Sequence, residues 1–191
     1  MTNRKKQTIP EKESIILLHG FFKNEIFEDL KKKNDKRIFI MEGRPNLVSS
    51  RMSSRKILSN NKMEPTIISD NMAGFLFWKG CIKEVLITHH DIMEISAGRQ
   101  NVPEQYKVFL EECKNRQDHY WCPTGSLMLA LLSKKYGIPI ILHESFEKLP
   151  IVGTGEEILQ FNHKRVAPSS MKGFVPLLES VSKEYFTNIN V

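Results

Sequence analysis

Cysteine is scarce in this chain: Cys81, Cys113 and Cys122 are the only three in 191 residues, and no two of them form a CxxC pair. That spacing excludes a local zinc clamp or a dithiol redox couple, and an odd number at wide intervals reads as free thiols. No apolar run approaches the roughly 18 residues that mark a membrane helix. The opening MTNRKKQTIPEKES is polar, with no apolar stretch behind its basic residues. The expectation is a cytoplasmic protein with no membrane partner. Internal repeats and low-complexity tracts are also absent.

What is present is a chain with 40% hydrophobic residues, long enough to bury one sizeable core. The reading is a basic polar tail over residues 1–13 and a single α/β domain over 14–191. A formal charge of +6 and a pI near 9.2 raise the question of nucleic acid. The distribution argues against it. Lys31, Lys32 and Lys33 close an expected helix, where cations suit the dipole, and the other basic cluster belongs to the tail.

Short apolar runs bounded by turn residues predict strands at Ser14 to His19, Arg37 to Met41, Thr66 to Ser69, Glu84 to Thr88 and Pro139 to His143. Helical spacing lies between them, at Asn24 to Lys33, Ser53 to Asn60, Met72 to Trp78 and Gly125 to Tyr136. Strand and helix in alternation imply a doubly wound, mostly parallel sheet flanked by helices, a Rossmann-like fold. The stretch from Ile92 to Trp121 breaks the rhythm and reads as a surface excursion carrying one amphipathic piece, Glu104 to Lys114. Glu144 to Gln160 reads as loop, and Phe174 to Tyr185 as another helix.

Ligands of such sheets sit beyond the carboxyl ends of the strands. Those ends carry His19-Gly20, Glu42-Gly43-Arg44, Asp70-Asn71, His89-His90-Asp91 and His143-Glu144, so four of the six histidines fall on one rim. Asp70 and Asn71 stand where a strand hands over to a helix, and serve equally as caps or as ligand contacts. Asp91 has no obvious helix to cap and is the favoured acid/base residue. Two histidines with one carboxylate could hold a divalent metal. Neighbouring strand residues such as His89 and His90 point to opposite faces, however, so the reading includes no metal and no cofactor. Thr124-Gly125-Ser126 opens an apolar helix whose free N–H groups suit a phosphate, or are simply capped by the hydroxyls. Arg44 and Arg51 can grip a phosphate bidentately, or pair with a rim carboxylate such as Glu42.

Two stretches carry a family resemblance. EGRPNLVSSRMS, starting at Glu42, resembles Glu-(Ser/Thr)-Arg-Pro-x-x-Gln-Gly-x-Arg-Leu-(Ser/Thr). ISDNMAG, starting at Ile68, is similar to a strand end of the form Asp-(Asn/Ser)-Met-Ala-Gly. Both belong to the family of methylthioribose-1-phosphate isomerase, ribose-1,5-bisphosphate isomerase and the alpha, beta and delta subunits of initiation factor 2B. Weaker likenesses in ILLHG, ITHHD, PTGSLMLALLSKKYGIPI and RVAPSSMKGF extend the match over nearly the whole chain. The expectation is a sheet domain alone, without the N-terminal helical domain that the resemblance would otherwise imply.

The resemblance implies a phosphorylated sugar or related phospho-metabolite at the rim and pairing into a homodimer. It also implies an acid/base role for Asp91, with Cys122 as the one thiol near the site. It equally implies the other possibility, a non-catalytic regulatory or interaction subunit. Two departures bear on turnover. The family's isomerases place a cysteine after the first strand's histidine, where this chain has Gly20, and the motif glutamine corresponds to Val48. The expected contacts are His19, Gly20, Glu42, Arg44, Arg51, Asp70, Asn71, His90, Thr124, Gly125 and Ser126.

Overall fold

The computed structural model describes residues 9–33, 37–45, 47–60, 65–90, 107, 111, 118–161 and 164–190. In chain order its elements are β1 (Ile15–His19), α1 (Asn24–Lys32), β2 (Arg37–Met41), α2 (Val48–Asn60), β3 (Thr66–Ile68), a 3₁₀ turn (Asp70–Met72) running into α3 (Ala73–Trp78), and β4 (Ile82–His89). There follow β5 (His119–Pro123), α4 (Ser126–Tyr136), β6 (Ile140–Glu144), α5 (Glu156–Leu159), β7 (Gln160–Phe161), β8 (Lys164–Arg165), β9 (Leu178–Ser182) and β10 (Asn188–Asn190).

Six strands form one sheet in the order β10-β6-β4-β1-β2-β3, and every neighbouring pair is parallel. A parallel sheet is covered on both faces, and the run IILLH of β1 is accordingly apolar throughout its first four residues and buried along its whole length. Ile16, Leu18, Ile38 and Ile40 face one core with Phe27 and Leu30 of α1 and Ile57 of α2. Ile15, Leu17, Phe39 and Met41 face the other, with Leu76 and Phe77 of α3 and Leu129 and Ala130 of α4. From β1 the chain winds outward through β2 and β3, then returns to β4 on the other side of β1 and continues to β6 and β10. The order therefore reverses between β1 and β4, the place where such sheets open a crevice.

The doubly wound sheet is as expected, but two segments differ. Phe174 to Tyr185 is not a helix: it holds β9, antiparallel to β5 from His119↔Ser182 to Pro123↔Leu178, and then a 3₁₀ turn. The three-residue interval between the buried Leu178 and Val181 imitates a helical period, while strand pairing to β5 decides the outcome. β5 itself was read as the end of the surface excursion. Most of the expected helix Glu104 to Lys114 lies outside the described residues. α2 starts five residues before Ser53, and the loop after β6 contains the single turn α5.

Candidate functional site

At the carboxyl end of β1, His19 is almost fully buried and its Nε2 lies 3.1 Å from the carbonyl of Thr124. A carbonyl only accepts, so Nε2 carries the hydrogen and Nδ1 the lone pair. Nδ1 is buried with no hydrogen-bond partner among the described residues. Burial lowers the ring's pKa against the opposing pull of Asp70, the Thr124 carbonyl and Glu179. His19 is thus a neutral acceptor at neutral pH. Gly125 lets the turn come this close: a Cβ there would stand 3.4 Å from Nε2, and its φ of +104° suits glycine.

The turn after β2 is held by Asp70, whose two carboxylate oxygens accept from the amides of Gly43 at 3.0 Å and Arg44 at 2.8 Å. Ser50 ties the start of α2 to the same turn through the carbonyls of Glu42 and Leu47. Arg44 itself is half-buried, its guanidinium 5.5 Å from the centre of the Phe161 ring. On the far side, Glu179 of β9 accepts from the amides of Gly125 and Leu127, each at 2.8 Å, and so caps α4 with a carboxylate. Thr124 and Ser126 turn their hydroxyls to the carbonyls of Pro176 and Pro123.

Between these walls lies a cavity of about 180 Å³, lined by His19, Gly43, Arg44, Ser49, Thr124 and Glu147, with apolar cover from Phe21, Pro45, Met52 and Leu177. Its volume is below the roughly 300–1,000 Å³ of a drug-sized pocket. It has room for one small chemical group.

The structure brings His19, Arg44 and Thr124 to one wall and puts Asp70 and Gly125 directly behind it. Glu42 is part of the same turn through its backbone. Asn71 is exposed and accepts from Ser69, and Arg51 is exposed on α2 outside the cavity wall. His90 is buried and its amide bonds to the carbonyl of Trp121. Asp91 lies outside the described residues. Cys122 is fully buried on β5, and burial, then Glu179, pushes its thiol well above the usual range. A thiol held in its neutral form by burial is poorly placed to act as a nucleophile or a base. Gly20 has a φ of +125°, and a Cβ there would run into Thr88. Among the described residues no group of three or more His, Cys, Asp or Glu converges as a metal site requires.

Glu179, Ser49 and Glu147 escaped sequence reasoning. Glu179 lay in a stretch read as helix, and no local motif links a strand-borne glutamate to the start of a helix some fifty residues earlier. Only the pairing of β5 with β9 makes that link.

A scan of protein-family models finds no match. Over 164 residues, 80% of this chain, the sequence is 25% identical to a methylthioribose-1-phosphate isomerase of Fervidobacterium nodosum, and it spans 40% of that protein's length. The fold matches the delta subunit of translation initiation factor eIF-2B from A. fulgidus with a TM-score of 0.69 at 15% identity, covering 94% of this chain and 52% of that one. It matches the 5-methylthioribose 1-phosphate isomerase of Pyrococcus horikoshii OT3 with a TM-score of 0.66 at 19% identity, covering 93% of this chain and 49% of that one. The chain thus spans about half or less of the proteins it matches. The sequence is similar to methylthioribose-1-phosphate isomerases, and the fold is shared with a solved isomerase of that name and with a solved initiation factor 2B subunit.

Proposed function

We propose that this chain binds a small phosphorylated metabolite, a sugar phosphate or a near relative, in the cavity at the carboxyl ends of β1 and β2. The observation that carries the reading is that Arg44 and buried His19, whose Nδ1 has no hydrogen-bond partner among the described residues, both line one small cavity beside the sheet's crevice. Arg44 supplies the charge for a phosphate at the mouth. A thermal-shift screen of sugar phosphates and nucleotides tests it, since a ligand of the folded state raises the apparent stability. A raised midpoint with sugar phosphates and none with the parent sugars is the expected pattern, and no shift with any of them sinks the reading.

Turnover by a thiol at residue 20 is closed off in this reading, because the backbone at Gly20 and the packing of Thr88 leave no room for a side chain. Asp91, two residues past β4, keeps the acid/base role that the resemblance implies. The same observation favours the second reading, a non-catalytic subunit like those of initiation factor 2B, in which the cavity serves as a sensing site.

Both readings include a homodimer in a cytoplasmic setting. α3 packs on α4 with Phe77 buried, while Met72, Phe75 and Trp78 stay exposed, Trp78 by 64%, and Met128 and Leu131 of α4 are exposed as well. This broad apolar face fits a second copy. Nucleic acid is not a partner in this reading: Lys31, Lys32 and Lys33 pair with Glu28, Asp29 and Glu84. Among the described residues no helix is long and apolar enough to cross a membrane.

A further inference from the structure

Gly43 and Arg44 of the turn after β2, and Pro123 and Thr124 just before the eleven-residue helix α4, line the cavity, and the backbone amides of that turn and of the α4 start would each welcome an anion. Both are already taken by the protein's own carboxylates. Glu179 accepts from Gly125 and Leu127, and Asp70 accepts from Gly43 and Arg44. His19 feels both negative charges, its Nε2 bonded to the turn that Glu179 holds. A phosphate placed at the α4 start would have to displace Glu179 or sit against its charge. Among the described residues Arg44 is the one cation on the cavity wall, and His19 has Nδ1 as an acceptor that no described residue uses.

We infer that Glu179 is a specificity-determining residue that fixes which way round a ligand enters: the phosphate is turned away from α4 and out to Arg44, and an uncharged hydroxyl goes inward to His19 Nδ1. This rests on the proposed reading of the cavity as a phospho-metabolite site. Because Nδ1 carries no hydrogen, the inward group is a donor, as a sugar hydroxyl is and a fully ionised phosphate is not. Inward discrimination of this kind rejects analogues that lack the hydroxyl.

The test compares the wild type with Glu179→Gln, which keeps an oxygen for Gly125 and Leu127 and removes the charge. Inorganic phosphate and ribose 5-phosphate are titrated separately, with backbone amide resonances followed by NMR. In the wild type, ribose 5-phosphate is expected to move Arg44 and leave the Gly125 and Leu127 amides in place. In Glu179→Gln, inorganic phosphate is expected to bind at least about tenfold tighter than to the wild type and to move both amides, a gain of about 1.4 kcal/mol. Equal phosphate affinity in the two proteins overturns the inference, as does movement of Gly125 and Leu127 in the wild type. Should Glu179→Gln fail to fold, the wild-type map decides: movement at Arg44 alone supports the inference, and any other pattern overturns it. Absence of ribose 5-phosphate binding to the wild type, with a phosphate gain in Glu179→Gln, discards the proposed function and leaves the role of Glu179 at the α4 start standing.

Discussion

Thr88 stands against Gly20 so closely that a side chain at residue 20 would overlap its hydroxyl and come within 2.9 Å of its Cβ. The same hydroxyl accepts from the amide of Phe21 at 3.1 Å, so Thr88 is fixed in place by the backbone it crowds. This relationship separates the chain from relatives in which the resemblance implies a cysteine at that point.

Replacing Gly20 by Cys is therefore expected to destabilise the protein rather than restore an isomerase. A left-handed backbone costs a non-glycine residue about 1–3 kcal/mol, and overpacking typically adds another 1–3 kcal/mol. Urea unfolding should show a loss within the sum of these ranges. A variant as stable as the wild type would mean that the backbone at residue 20 yields freely and that the steric argument is wrong.

Asp70 braces the turn that presents Arg44. Asp70→Ala removes two bonds from backbone amides to a charged oxygen, each worth about 1.5–3 kcal/mol when buried, and less at this half-buried position. We expect a loss of about 2 kcal/mol, with faster hydrogen exchange at Gly43 and Arg44 than elsewhere on the sheet. Unchanged exchange at those two amides would show that the turn stands without Asp70.

The sheet was readable because each of its strands but the last announces itself locally. IILL of β1 and IFIM of β2 are continuous apolar runs, as a strand covered on both faces requires, and Gly137-Ile138-Pro139 ends a helix before β6 begins. β5 and β9 were not readable in this way. HYWCP and LESVS hold together through pairing between residues some sixty positions apart, and no local pattern encodes that partner. The candidate site divides along the same line. His19, Arg44 and Asp70 follow from strand ends, whereas Glu179 and the burial of Cys122 depend on the β5–β9 pair.

Acid should weaken the fold through the buried histidines. Burial first, and Lys33 second, lower the pKa of His143 to about 4, and burial lowers that of His19. Between an unfolded value near 6.5 and these lower folded values, the unfolded chain binds the proton and the folded chain does not. Stability is full above about pH 6.5 and falls as the pH drops toward 4. His143 alone accounts for at most about 3 kcal/mol, and nearer half of that where solvent screens the ring. Urea midpoints at pH 7, 5.5 and 4.5 for the wild type and His143→Gln check this, with a flatter profile expected in the variant. Parallel profiles would remove His143 from the account.

Light scattering at micromolar concentration is expected to give twice the 22.1 kDa of one chain. Phe75→Lys combined with Trp78→Glu should return it to the monomer mass, since both side chains lie on the exposed face of α3. A wild type of monomer mass contradicts the homodimer directly.

The central claim is that the cavity binds a phosphorylated metabolite through Arg44 and does not isomerise it by the thiol route. The most direct measurement is a calorimetric titration with methylthioribose 1-phosphate, with the ketose product assayed in the same sample, on the wild type, Arg44→Ala, Cys122→Ser and Asp91→Asn. The account predicts saturable heat in the wild type and in Cys122→Ser and a loss of affinity of roughly tenfold to a hundredfold in Arg44→Ala, as for a charge-assisted bond of about 1.5–3 kcal/mol. It predicts no ketose at an enzyme-like rate in any of the four. Ketose formed rapidly by the wild type and lost in Cys122→Ser or Asp91→Asn would contradict it, and so would a wild type that takes up no ligand.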